Sequence, residues 1–172
     1  DRFTAGQAGR DLHLIADHEL GHVLCETGMP WHLIKKKDWK NICECYADAY
    51  ATIRHFQTYG RDSPLPAQWS EYRTARAMAG DAGHWTSQAI EEVIKLNKQG
   101  AIENLTPHEC RDLAVEIAQR TALTPDQIHH IKKHLDANWL DDASIKNAAC
   151  LPQACGYIVK ATKSPIVHEL LE

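Results

Sequence analysis

The sequence predicts a mainly α-helical single domain. Apolar residues recur at three- and four-residue steps along most of the chain, several segments open with strong helix-starting signals, and little alternates with the period of two expected of a half-buried strand. The 172 residues are 44% hydrophobic and only 24% charged, enough apolar material for one core and too much for a disordered chain.

Residues 1–10 are polar and contain glycine, which reads as a lead-in rather than a regular element. Asp11 can cap a first helix over about 12–27, with Gly28 and then Pro30 to end it. Leu14, Ile15, Leu20, Val23 and Leu24 occupy much of that helix's circumference, so it is expected to be buried. Gly21 in its interior costs about 1 kcal/mol against alanine, and close approach of a second helix is the expected compensation. The link that follows holds Trp31 and Lys35-Lys36-Lys37, a run that reads as a solvated loop.

A second helix over about 38–59 places Trp39, Ile42, Tyr46, Ala49, Tyr50, Ile53 and Phe56 on a packing face, while Glu44, Asp48, Ala51 and His55 lie on the adjacent one. Gly60 closes it, and Arg61-Asp62-Ser63-Pro64-Leu65-Pro66 is the clearest break in the chain. A third helix is expected at about 66–79, with Trp69, Tyr72 and Met78, then a glycine-bracketed loop over 79–86. Thr86 or Ser87 can cap a fourth helix reaching about Lys98, with Ile90, Val93 and Ile94 inward and Gly100 ending it. Thr106-Pro107-His108-Glu109 and Thr124-Pro125-Asp126-Gln127 are capping boxes with proline at the first helical position, which predict helices over about 107–121 and 125–139. Their inward stripes are Leu113 and Ile117, then Ile128, Ile131 and Leu135. Beyond Asp141, a short helix over 142–149 is expected before Pro152, and Tyr157-Ile158-Val159 suits either a helix or a short strand.

Composition narrows the function classes. A net charge of −4 argues against nucleic acid or an anionic membrane surface as partner. No apolar run approaches the ~20 residues of a membrane-spanning helix, so no transmembrane segment is expected. The chain begins at Asp1 rather than methionine, which leaves a preceding segment open and the compartment unread. Six cysteines, Cys25, Cys43, Cys45, Cys110, Cys150 and Cys155, match no small disulfide scaffold and read as buried free thiols, with a Cys150–Cys155 bridge as the alternative. His130 and His134 stand four apart with no acidic partner nearby, a weak pattern for a second metal.

The chemistry-bearing stretch is Asp17-His18-Glu19-Leu20-Gly21-His22. On a helix, His18 and His22 lie about 40° apart on one face, close enough for both imidazoles to hold one ion. Glu19, one residue on, is badly placed as a third ligand but can reach a water on the ion's open side and act as its base. Downstream, Glu44 and Asp48 stand four apart on the second helix. Glu44 can supply a carboxylate ligand, and Asp48 can accept the free N–H of a ligating histidine and fix its tautomer.

Together these residues resemble the gluzincin type of zinc metallopeptidase, in which HExxH is followed some twenty or more residues later by a glutamate ligand in an ExxxD or ExxAD context. Glu44-Cys45-Tyr46-Ala47-Asp48 matches that context. The metzincin continuation is absent, since Cys25 and Gly28 stand where it has glycine and its third histidine. The resemblance spans about Leu12 to Tyr59 and implies a zincin-like helical fold with one Zn²⁺ per chain held by His18, His22 and Glu44. It also implies Glu19 as general base, Asp48 as the orienting acid, and a peptide or protein as substrate. Related peptidases bring a histidine or tyrosine to the oxyanion from a later segment; His84 is the candidate here, with Tyr46, Tyr50 and Tyr157 as rivals. Residues 1–100 would form the metal-site core and 101–172 a helical C-terminal part of the same domain. The sheet that commonly precedes the active-site helix in such peptidases has no counterpart here. The competing expectation is a non-catalytic, metal-binding or metal-free helical module that recognises a partner through its tryptophan-rich loops.

Overall fold

The computed structural model describes residues 5–29, 37–78 and 80–138, and every regular element among them is helical. In chain order these are α1 (Ala5–Gly28), α2 (Trp39–Tyr59), α3 (Leu65–Met78), a 3₁₀ turn (Ala82–His84), α4 (Ser87–Lys98), α5 (Pro107–Thr121) and α6 (Pro125–Asn138). The expectations for Trp31, Lys35, Lys36, residues 142–149, Cys150, Cys155 and Tyr157 fall outside the described residues, as does the side chain of His134.

α2 is the central element. Asp38 caps it by accepting a hydrogen bond from the Asn41 N–H at 2.9 Å, Gly60 ends it at φ 88°, and almost every side chain from Asn41 to Phe56 is buried. α1, α4 and α5 pack around it. Ile42, Tyr46, Ile53 and Phe56 of α2 meet Cys25 of α1, Val93 of α4, and Cys110, Ala114 and Ile117 of α5 in one apolar core. A smaller cluster joins Ala77, Ala82 and Trp85 to Leu123, Ile128 and Ile131. Trp39 departs from its expected inward place and is 41% exposed, while Asn41 and Ile42 of the same turn are fully buried.

α1 runs antiparallel to α2, since Cys25 meets Cys43, Gly21 meets Ala47, and His13 meets Tyr59. Gly21 is required at the crossing: a Cβ there would stand 2.7 Å from the Ala47 Cα. The expected compensation for this glycine is therefore present. Two other expectations for α1 fail. The helix begins at Ala5 rather than near residue 12, and Asp11 is interior to it. Contacts with the end of α2 outweigh the weak propensity of the glycines: the Arg10 guanidinium lies 5.6 Å from the Tyr59 ring centroid, and the Tyr59 hydroxyl pairs with His13 Nδ1. Nor is α1 buried on all sides. Leu14, His18, Gly21 and Cys25 face α2, while Leu12, Ile15, Leu20 and Val23 are 44–65% exposed, because α2 is the neighbour that covers it among the described residues.

The later helices follow their start signals. In α5, Thr106 Oγ1 accepts from the Glu109 N–H at 3.3 Å and Glu109 Oε2 accepts from the Thr106 N–H at 2.8 Å. In α6 the Thr124–Gln127 pair does the same at 3.2 and 2.8 Å. α4 differs. Thr86 stands at its N-cap position, but the hydroxyl does not cap the helix; it donates to Asp48 instead.

Candidate metal centre

The geometry of α1 and α2 puts the predicted ligands together. His18 and His22 project from successive turns of α1 with their Nε2 atoms 3.0 Å apart. Glu44, on the facing turn of α2, lies 3.6 Å through Oε2 from His18 Nε2 and 3.6 Å through Oε1 from His22 Nε2. A tetrahedral site with bonds of about 2.0–2.1 Å has ligand–ligand edges of about 3.3–3.4 Å. The observed separations bracket that value, and two imidazoles with one carboxylate are a donor set suited to zinc. Among the described residues, His18, His22 and Glu44 are a group whose ligand atoms all lie within 4.8 Å of one another.

Asp48 decides how His18 presents itself. Its fully buried carboxylate accepts from His18 Nδ1 at 2.8 Å, Trp69 Nε1 at 2.9 Å, Arg73 Nε at 2.6 Å and Nη2 at 3.0 Å, and the Thr86 hydroxyl. Burial alone would raise the pKa of Asp48, but the hydrogen bond from His18 and the charge of Arg73 overcome it and hold the carboxyl well below the usual range. An ionised Asp48 keeps the proton of His18 on Nδ1. The Nε2 lone pair is thereby turned toward His22 and Glu44. Burial, then the neighbouring His18, lower the pKa of His22, which favours the neutral ring that ligation requires.

Sequence reasoning missed Arg73, Trp69, Thr86 and Asp81. Arg73 is buried in α3, with its guanidinium 5.0 Å from the Trp69 ring centroid. Its Nη2 reaches Glu44 Oε2 at 3.2 Å and lies 3.3 Å from His18 Nε2. Beside two buried carboxylates it supplies the positive charge they need. The available signal was the four-residue step from Trp69 to Arg73, which puts indole and guanidinium on one face of α3. Asp81 escaped notice because it belongs to a loop, where spacing carries little weight.

His84 does come to the centre. Its Nε2 is 3.1 Å from Glu44 Oε1, and its Nδ1 pairs with Asp81, which Arg76 Nη2 holds in turn at 2.7 Å. Hydrogen bonds from His84 and Arg76 outweigh burial and lower the pKa of Asp81. Glu19 is exposed on α1, beside the buried ligand face. Tyr46 and Tyr50 are instead stacked core residues, with ring centroids 6.3 Å apart, and Trp85 anchors the smaller cluster. No family model, curated protein or solved structure matches this chain.

Proposed function

We propose that the chain is a zinc-dependent hydrolase, most simply a metallopeptidase of gluzincin type. The observation that carries this reading is the meeting of His18 Nε2 and His22 Nε2, 3.0 Å apart, with the Glu44 carboxylate, whose Oε2 lies 3.6 Å from the first and whose Oε1 lies 3.6 Å from the second, while the buried Asp48 carboxylate fixes the His18 tautomer. His18, His22 and Glu44 would hold the ion. When bound, zinc supplies Lewis acidity, polarising an acyl oxygen and lowering the pKa of coordinated water.

The remaining work falls to side chains. Glu19, exposed next to His18, takes a proton from the attacking water and returns it to the leaving amine. His84 is the oxyanion donor: Asp81 pairs with its Nδ1, and its Nε2 stands at the centre, 3.1 Å from Glu44 Oε1. Asp48 with its buried donors keeps His18 oriented throughout, and Arg73 balances the charge of Asp48 and Glu44. The substrate is a peptide or protein, since that is the chemistry the HExxH and ExxAD pair implies.

The test is a fragment pattern. Zinc-loaded wild type, incubated with a mixture of unfolded proteins, should generate fragments that Glu19→Gln, carrying the same zinc per chain, does not. Equal fragmentation by both proteins rejects Glu19 as base. Stoichiometric zinc in the wild type with no cleavage supports the non-catalytic module instead.

A further inference from the structure

Cys25 and Cys43 lie 18 residues apart in sequence, on different helices, with their Sγ atoms 3.0 Å apart. That separation is within about 1 Å of the 2.03–2.05 Å of a disulfide. The close crossing that brings them together is set one turn away, where Gly21 lets α1 approach Ala47. Their position matters more than their number: Cys25 is three residues after His22, and Cys43 immediately precedes Glu44. Cys45 and Cys110 are also buried free thiols, and the Sγ of Cys45 turns to Asn41 Oδ1 and that of Cys110 to Gln57 Oε1.

We propose that Cys25 and Cys43 are a disulfide-forming pair that fastens α1 to α2 beside the metal centre, with a low-molecular-weight disulfide such as oxidised glutathione as oxidant. Cys43 is 9% exposed and Cys25 1%, so Cys43 reacts first. Its thiolate attacks a glutathione sulfur, the glutathione S–S bond breaks, and one glutathione thiolate leaves. The Cys25 thiolate then attacks Cys43 Sγ in the mixed disulfide and expels the second glutathione. Two protein thiols are oxidised, one glutathione disulfide is reduced, and the two protein protons end on the departing thiolates. The bridge closes the loop between the two ligand-bearing helices, restricting the unfolded chain and holding His22 against Glu44.

The bridge itself stands on the sulfur geometry alone, whereas its bracing of the ion rests on the metal reading above. Reduced full-length protein is incubated with oxidised glutathione, alkylated, digested without reduction and mapped by mass spectrometry. The expected product is a peptide pair joined through Cys25 and Cys43, and the oxidised protein should melt at a higher temperature than the reduced one. Recovery of both cysteines as alkylated thiols, or bridging of either to another cysteine, overturns the pair whether or not the chain binds metal. In Cys43→Ala the cross-linked peptide should be absent; because the wild-type map decides the question, a folding defect in that variant does not obscure it. Zinc should then leave the oxidised protein for a chelator several-fold more slowly than it leaves the reduced one. Faster loss on oxidation overturns the bracing role while leaving the bridge in place.

Discussion

At the scale of single residues, each charge around the centre has a separable task. Glu19 is exposed and outside the ligand triangle, so Glu19→Gln should keep the zinc content of the wild type while losing turnover. Metal analysis alongside a cleavage assay checks this, and loss of zinc from that variant would make Glu19 a ligand. Asp48 is different: it is fully buried and tied to Arg73 through two nitrogens. Asp48→Asn should lower zinc affinity by about 10–100-fold, the usual effect of losing the group that orients a ligating histidine. It should also destabilise the fold by about 3–5 kcal/mol, because the buried Arg73 guanidinium loses one of its two carboxylate partners. A chelator competition titration and a urea melt separate the two effects. His84→Ala should reduce kcat by about 10²–10³ with zinc retained, as for loss of an oxyanion donor.

At the scale of elements, the meeting of His18, His22 and Glu44 depends on how closely α1 and α2 cross. Gly21→Ala would put a Cβ 2.7 Å from the Ala47 Cα, a backbone atom that cannot swing aside. The helices must separate, at a cost of about 1–3 kcal/mol, and zinc affinity should fall because His18 and His22 ride on one helix and Glu44 on the other. Thermal unfolding and zinc titration of the variant measure both. The helices themselves were largely legible in the sequence, because capping boxes, apolar steps and Gly60 are local signals. The start of α1 was not. Arg10 and His13 of α1 meet Tyr59, 46 residues away from His13, and no local pattern announces such a contact. The same limit explains the site. His18, His22, Glu44 and Asp48 each belong to a four-residue step on one helix and could be read, whereas Arg73 and Asp81 become part of the centre only when α3 and its following loop fold onto it. The apolar circumference of α1 misled for a related reason: Leu12, Ile15, Leu20 and Val23 have the composition of a buried face, yet α2 covers the opposite one.

At the scale of the whole molecule, pH and metal should both move stability. His55 is buried on α2 with Nε2 on the Ser63 hydroxyl at 2.7 Å. Burial, then the charges of Arg10 and His13, push its pKa down to about 4. A histidine depressed in the folded state contributes stability that is complete above its unfolded pKa and is lost as the pH falls, because the unfolded chain binds the proton first. Stability should therefore decline from about pH 6.5 toward pH 4 and then level, by no more than about 3 kcal/mol from this residue. Urea melts across that range should show a shallower decline for His55→Gln. Zinc should act in the opposite sense: at a free concentration about 100 times its Kd it should stabilise the native chain by about 2.7 kcal/mol, and a chelator should reverse the rise in Tm.

We propose that two helices hold one zinc ion through His18, His22 and Glu44, with a ligand position left open. X-ray absorption at the zinc edge of the metal-loaded chain tests it most directly. One zinc per chain is expected, in a shell of nitrogen and oxygen alone at about 2.0–2.2 Å, with the histidine signature halved in His22→Ala if any zinc remains. Sulfur ligands at about 2.3 Å, or zinc bound as tightly after Glu44→Ala, would contradict it.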